Sequence, residues 1–572
     1  MAMANKNKLV KIALLSSFTT KGIGEALSVK CHEIGLTPKF YIADYNQYAQ
    51  EILNDKSGFY KFNPDLAVIF IDSRTVLGDY YFSFNKLSDK QKKKWMREKL
   101  IEIQLFTKKI EDGCSCKIIF HNFEVPDISA LGIIENKQTL GIVECIETLN
   151  SKIRDFYKSD SRVFVFDYNC FCSKVGKQNI LDNKMYYLAD IRLDFKFIPN
   201  LCDEYLAYIK PLMSLTRKCL VLDLDNTLWG GIVGEDGLNG IKLGPTREGR
   251  PYWEFQKYIL SLSDRGVLLA INSKNNKEDA LQAIREHPYM VLREDNFAAM
   301  RINWNDKATN IKEIADELDI GVDSFVFVDD DKLNRGLVKD KYPEVQVLDL
   351  PEDPALYIKA ISEVNDFNTF QLTDEDKQKG KMYVDQRKRK EFKGASSDIT
   401  DYLKGLGMVV RFSKLNSFNL PRISQLTQKT NQFNMTTRRY LEEDIENFGK
   451  DNFLIVSAGV EDKFGDNGIV GVAIAEAGEE KWRIDSFLLS CRVIGRKVEE
   501  ALLAYILDEA RQAGAALVTG EFIPTKKNSL AKDFYKKNNF KLAGKKTGME
   551  IWEYNLKNAY GYPEFIKVIR EE

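Results

Sequence analysis

Short apolar runs alternate with longer amphipathic stretches through the first 215 residues. The runs LVKIALL (9–15), KFYIAD (39–44), LAVIFID (66–72), KIIFHNF (117–123) and VFVFDY (163–168) predict buried strands. DKQKKKWMREKLIEIQLFTKKI (89–110) and TLGIVECIETLNSKIRDFY (139–157) carry the apolar period of helices. Strands alternating with helices imply a doubly wound parallel sheet covered on both faces. The rhythm restarts at KCLVLDLD (218–225). VLLAINS (267–273) and SFVFVDD (324–330) predict strands that end in polar residues, and KATNIKEIADELDI (307–320) an amphipathic helix. Residues 352–395 are charged and helical in character, which predicts a bridging segment with a solvated face. From about 396 the pattern turns antiparallel, with LIVSAGVEDKFGDNGIVGVAIAEAG (454–478), where GDNG suits a tight turn. RIDSFLLS (483–490), a Gly-bearing turn and the helix RKVEEALLAYILDEARQAG (496–514) follow. The expected division is 1–215, 216–351, a helical linker 352–395, and 396–572.

A chain of 572 residues is too long for one core, which fits several domains. Hydrophobic residues make up 44% and charged residues 29%, as in ordinary globular proteins. Lys+Arg is 83 against Asp+Glu 84, so no electrostatic footprint for nucleic acid or a membrane surface is present. Nine scattered cysteines read as reduced thiols, and Cys114 and Cys116 stand too close for a zinc knuckle. The opening MAMANKNKLVKIALLSSF has an apolar core too short for a signal peptide or a span, so a cytoplasmic protein is expected.

The stretch CLVLDLDNTLWGG (219–231) ends an apolar run with two aspartates one residue apart. Like charges this close repel, and burial raises the cost. A cation, a shared proton or solvent has to compensate. In an open α/β sheet, ligands sit at the carboxyl ends of strands, where Asp223, Asp225, Ser273, Asp329 and Asp330 can converge. Mg²⁺ is bound by few carboxylates plus water and substrate phosphate. One carboxylate can attack phosphorus and a neighbour can move protons. A hydroxyl and an ammonium stabilise the phosphoryl oxygens.

DLDNTLWGGIVGEDG (223–237) resembles motif I of the haloacid-dehalogenase superfamily, in the form of its FkbH-like branch, subfamily IIIC. The resemblance implies Asp223 as nucleophile, Asp225 as acid/base and Thr227 as a turn hydroxyl behind them. Ser273 in LLAINSKNN matches motif II, a phosphate-oxygen donor, and Lys307 in NWNDKATNI matches motif III. Asp329 and Asp330 in FVFVDDD match motif IV. The implied Mg²⁺ ligands are Asp223, the backbone carbonyl of Asp225, and Asp329. This chain has Asp-Asp-Asp-Lys where the family often has Asp-Asp-Asn-Pro, so Asp331 adds an acid and leaves the division of labour open. Trp229 and Gly230, Gly231, Gly234 and Gly237 suggest a small hairpin flap over the site; for Trp229, plain packing stands level with that role.

FLLSCRVIGRKVEE (487–500) places a strand, a Gly turn and a helix in succession, an arrangement that can hold phosphate on backbone N–H groups. It resembles the pyrophosphate loop of GNAT acyltransferases, spanning Arg492, Val493, Ile494, Gly495 and Arg496, with Lys497 where a small residue is usual. TKKNSLAKDFYKKNNF (525–540) resembles the GNAT ending, which implies that Asn528 and Tyr535 face an acyl-carrying arm. RISQLTQKTNQFNMTTRRY (422–440) resembles the segment that joins this module in FkbH-like proteins; a solvated helix followed by an N-capped one is the plainer reading. A carrier arm has one phosphodiester where CoA has a pyrophosphate, so Lys497 suits a carrier better. Cys491 is a candidate acyl relay, against the plainer reading of a buried strand-end residue.

IALLSSFTTKGIGEAL (12–27) resembles the opening of SGNH-type esterases, with Ser16 or Ser17 as nucleophile. Such an enzyme needs a late histidine, and the chain has only His32, His121 and His287; ADIRLDF (189–195) offers Asp190 without one. This block is expected to be inactive. FkbH-type proteins deliver a glyceryl unit from 1,3-bisphosphoglycerate to a carrier's phosphopantetheine thiol. The resemblance therefore implies an α/β, three-domain, Mg²⁺-dependent phosphohydrolase or phosphotransferase. It would act on a small phosphorylated or acyl-phosphate metabolite and pass the acyl unit to CoA or an acyl carrier protein. The rival reading is a phosphatase fused to an acetyl-CoA-dependent N- or O-acetyltransferase in sugar or polysaccharide biosynthesis.

Overall fold

The computed structural model describes residues 8–571 apart from 373, 451, 526 and 547, with backbone alone at 374–377, 379, 395, 429 and 491. The expected α/β class is found: two parallel sheets and one mixed sheet, each with helices on it. Two compact units divide the chain, one of residues 1–218 with 356–373, the other of 219–355 with 374–572.

In the first unit, β1 (Lys8–Ser16), β2 (Leu36–Ile42), β3 (Leu66–Phe70), β4 (Lys117–His121) and β5 (Val163–Phe166) form a parallel sheet in the order 2-1-3-4-5. Alternate side chains feed two separate cores. Ala13, Leu15, Ile69 and Phe120 face one, with the long helix Asp89–Gly113; Ile12, Leu14, Val68 and Ile119 face the other, with Ile198–Leu212. This is why these strands read as continuous apolar runs. The returning piece 356–373 is clasped to the unit by Asp366, which pairs with Lys210 at 3.1 Å and Arg217 at 3.6 Å.

In the second unit, β6 (Cys219–Leu222), β7 (Leu268–Ser273), β8 (Phe297–Ile302), β9 (Phe325–Asp329) and β10 (Gln346–Asp349) form a parallel sheet in the order 10-9-6-7-8. The helix Lys307–Leu318 lays Ala308, Ile311, Ile314 and Ala315 on Val221, Ala270 and Phe327. A mixed α+β sheet follows. It comprises β11 (Val409–Lys414), β12 (Phe433–Asn434), β13 (Phe453–Asp462), β14 (Gly465–Glu476), β15 (Lys481–Leu489), β16 (Leu517–Phe522), β17 (Lys541–Lys546), β18 (Met549–Asn555) and β19 (Lys567–Glu571). The helix Val498–Gln512 covers one face and Leu420–Lys429 the other.

Three expectations need correction. The hairpin between β13 and β14 turns at Lys463–Phe464, because Asp462 already pairs with Gly465; GDNG lies inside β14, where the register slips. The charged bridge is not a solvated helix. Asp374–Ala395 buries Val384, Asp385, Arg387 and Arg389, because Arg389 forks onto the buried Asp462 at 2.7 and 2.8 Å. No second helix directly follows Leu420–Lys429: the chain enters β12, and the next helix is Glu442–Phe448.

Candidate active site

Asp223 follows the last residue of β6, and its N–H donates to Val328 O at 3.0 Å, so the strand ladder fixes its backbone. Its Oδ1 accepts from Leu224 N–H and lies 2.8 Å from Lys307 Nζ. The side chain keeps 11% exposure, enough to be approached from outside. Lys307 opens the helix Lys307–Leu318, a position that a helix dipole disfavours for a cation. It is nevertheless buried there, 3.1 Å from Asp329 Oδ2, and donates to Asn272 O at 2.6 Å. Burial pulls its ammonium down, but Asp223 and Asp329 together push it above its ordinary value. Asn272 returns a bond to Lys307 O and takes one from Asn310, which fixes the helix start.

Asp329 ends β9 fully buried; Asp331 N–H donates to its Oδ1 at 2.9 Å. Its Oδ2 has no hydrogen-bond partner of good geometry. Burial and then the nearby Asp223 push Asp329 up to about 7, and the same two causes push Asp330 to about 6. Carboxylate oxygens of Asp223, Asp329 and Asp330 lie within 4.8 Å of one another. A cluster of hard oxygen donors, one buried oxygen carrying the Lys307 ion pair but no hydrogen bond of good geometry among the described residues, fits Mg²⁺.

Asp225 stands outside this cluster of side chains. Its Oδ1 accepts from Trp229 Nε1 at 2.8 Å and Val233 N–H at 3.0 Å, and its Oδ2 from Asn275 Nδ2 at 2.8 Å. Trp229 is therefore packed and polar at once. The flap is not a plain hairpin: Gly230 and Lys242 bridge at its base, and Val233–Gly240 within it is helical. Asn226 takes the left-handed conformation, φ 54°, that lets the chain turn here. Thr227 is buried behind this turn, and its hydroxyl has no partner among the described residues. Ser273, at the end of β7, takes a bond from Asn275 at 3.3 Å. Asp331 caps the helix Lys332–Lys341 through Leu333 N–H, which gives the extra acid a structural task.

Two contributors escape a reading of motifs. Asn275 ties Asp225 to Ser273, and only its place two residues after Ser273 hints at this. Arg335 donates to the carbonyls of Asp329 and Asp330 at 2.7 and 2.8 Å, holding the acidic turn by its backbone. No pattern of residue types marks it.

The proposed arm residues do not share one open surface. β15 and β16 pair in parallel only from Lys481–Ile484 to Leu517–Gly520. Beyond that the fork is filled by the chain itself: Phe433 and Asn434 pair with β15, Met435 N–H donates to Phe487 O, and Met435 O accepts from Ile523. Asn528 is buried and spends its amide on Asn434 O, Ile523 O and Thr525 N–H. Tyr535 is buried, with no partner for its hydroxyl among the described residues. Arg496 is buried against Asp462 and Gln386, because the deep carboxylate outbids a surface role. Val493 is buried, and Gly495 is exposed with φ 81°. Arg492, with Ser490 and Ile494, lines a pocket of about 510 Å³ whose opposite wall is the C-terminal end of the helix Lys307–Leu318. The Cys491 side chain lies outside the described residues. No helix among the described residues is long and apolar enough to cross a membrane.

Residues 11–210 match the family described as FkbH, N-terminal domain. No curated protein matches the sequence. The chain is similar to the N-terminal part of protein BF1531 from Bacteroides fragilis, a crystal structure containing a phosphatase domain complexed with Mg. Identity is 29%, with 64% of this chain and 95% of that one covered and a TM-score of 0.59. It also matches the ribosomal-protein-S18-alanine N-acetyltransferase from Escherichia coli (16% identity, 26% and 96% covered, TM-score 0.21). A further match is the PaiA N-acetyltransferase from Thermoplasma acidophilum in complex with coenzyme A (16%, 26% and 98%, TM-score 0.21). The chain is thus FkbH-like over its first 200 residues or so, and similar over more of its length to a solved protein with a phosphatase domain.

Proposed function

We propose that the chain is a Mg²⁺-dependent phosphohydrolase or phosphotransferase that acts through a phosphorylated Asp223 on a small phosphorylated or acyl-phosphate metabolite. The observation that carries this is the Lys307 ammonium, buried between Asp223 and Asp329 at 2.8 and 3.1 Å. It aims the Asp223 carboxylate and holds it in place. Asp225, oriented by Trp229, Val233 and Asn275, protonates the leaving oxygen and later takes a proton from water. Ser273 and Asn275 stand beside it as donors to phosphoryl oxygens. Mg²⁺, held by Asp223, Asp329 and Asp330 with the Asp225 carbonyl as a further candidate, would neutralise phosphoryl charge.

On a substrate such as 1,3-bisphosphoglycerate, Asp223 takes the ester phosphate, while a pantetheine thiol, on a carrier protein in preference to CoA, loses its proton, attacks the acyl-phosphate carbonyl and expels inorganic phosphate. Lys497, at φ 66° on the N-terminus of the helix Val498–Gln512, where close approach of a pyrophosphate needs a small residue, supports that preference, and the filled fork bears on both arms alike. Open strand edges there would pair the amides of an extended arm, but residues 433–435 already use them. The arm is left the pocket beside Ser490, Arg492 and Ile494. The acetyl-CoA-dependent reading also needs a pyrophosphate seated at Lys497 and is second for that reason.

The test incubates the protein with Mg²⁺, 1,3-bisphosphoglycerate and a phosphopantetheinylated carrier, followed by mass spectrometry. A glyceryl adduct on the carrier supports the whole reading. Phosphate release that D223N abolishes, with no adduct, keeps the phosphatase and overturns the transfer. Acetyl-CoA turnover without any carrier hands the case to the second reading.

A further inference from the structure

A second polar cavity, of about 250 Å³, opens at the carboxyl edge of the first unit's sheet. In the strand order 2-1-3-4-5, the chain leaves β1 to one side and returns to the other, so a crevice forms between the ends of β1 and β3. Both ends are polar there: Ser16 ends β1 and Ser17 follows it, and Asp72 and Ser73 follow β3. Hydrolysis is not what this site is built for. The Ser17 hydroxyl donates to Asp72 Oδ1 at 3.0 Å, and Ser16 donates to Phe70 O. His32 bonds to Ser28 O on its own helix, and His121 is buried against Tyr205, so neither ring serves a serine.

The cations and acids of the cavity nearly balance in number but are not paired one to one. Arg192 is shared between Asp72 and Asp190, forking onto the second at 2.8 and 3.0 Å. Arg74 and Lys177 line the same cavity, and neither has a carboxylate partner among the described residues. Arg74 lies over the rings of Tyr81 and Tyr186 at 4.6 and 4.7 Å, and Lys177 Nζ bonds only the Asn169 amide oxygen, at 3.2 Å. The exposed Asp127 offsets one of these cations. Glu124, from the turn after β4, takes the Ser73 hydroxyl at 2.5 Å. Burial, then Asp72, hold it up to about 7, so at neutral pH it offers a proton as often as a charge. Phe18, Tyr81 and Tyr168 supply apolar walls for a carbon skeleton.

We propose that this cavity is a non-hydrolytic binding site for a small organic anion, a carboxylate or phosphate monoester on a short carbon skeleton, held by Arg74 and Lys177. The site is independent of the phosphotransfer reading. Calorimetric titration of the full chain with D-glycerate in one arm and glycerol 3-phosphate in the other tests it, and the arm that binds identifies the anion. The expected result is saturable binding that R74E and K177E each weaken about tenfold or more. Lys307→Met should leave that binding intact, and R74E should leave phosphate release at the wild-type rate. Absence of binding by either anion up to about 10 mM would overturn the proposal. So would wild-type affinity in both charge-reversal variants, or loss of binding in Lys307→Met alone.

Discussion

Lys307 is where local preference and tertiary need conflict most openly. A cation at a helix start is disfavoured, yet two buried carboxylates hold it there. Lys307→Met should lower Mg²⁺-dependent phosphate release about a hundredfold or more and destabilise its unit by about 3–5 kcal/mol, read by urea unfolding. Unchanged unfolding would mean the carboxylates find water instead. Asp329 gives a pH prediction for the metal-free chain. Its folded value, about 7, lies above the unfolded one, so the protonated form favours the fold. That contribution is complete below the unfolded value of 3.8 and is lost as pH rises towards about 7. Mg²⁺ takes the proton's place, so its thermal stabilisation should be larger at about pH 8 than at about pH 5.5. Equal shifts would disconnect Asp329 from the cation. Residue types at strand ends made Asp223, Ser273 and Asp329 legible, and the resemblance to motif III implied Lys307; Arg335 was not legible, because a guanidinium that binds carbonyls leaves no trace in a motif.

At the scale of elements, the helix Val498–Gln512 begins on a strained residue. Lys497 occupies its N-cap at φ 66°, where glycine is at ease and a lysine side chain is not. Lys497→Gly should stabilise the unit by about 1 kcal/mol in denaturant titration. The same variant should bind CoA more tightly than wild type; unchanged affinity would remove Lys497 as the reason for preferring a carrier. Strands β1, β3, β6, β7 and β9 were legible from apolar runs bounded by polar residues, and the helix Lys307–Leu318 from its period. β8 and β10 were not, nor was β12, a two-residue strand that exists only because the fork beyond Ile484 offers it partners.

At the scale of the whole molecule, the two units differ in how their returning segments are held. Residues 356–373 are clasped to the first unit through Asp366. In the second, the helix Asp374–Ala395 ties in through a buried triad: Asp462 receives Arg389 at 2.7 Å and Arg496 at 3.3 Å. Removing the shared acid leaves two buried cations facing each other, whereas removing one arginine leaves a pair. Asp462→Ala should therefore cost about 3–5 kcal/mol and clearly more than Arg389→Met, both measured by urea unfolding. The reverse order would assign the triad's worth to packing.

The resemblance to motif III implied Lys307, whereas periodicity and residue type alone determined the α/β class and the acidic strand ends of the middle block that let Asp223 and Asp329 converge. These are local facts: side-chain direction along a strand, and chemistry at its end, depend on neighbours in the chain. The tertiary structure alone decided the fate of charges and amides far apart in sequence. It buried Arg389 and Arg496 on Asp462, spent Asn528 on Asn434, filled the β15–β16 fork, and left Arg74 and Lys177 without acids beside a cavity. Whether a polar group meets a partner, a cavity or solvent depends on which distant segment packs against it, and pattern along one chain carries no such information.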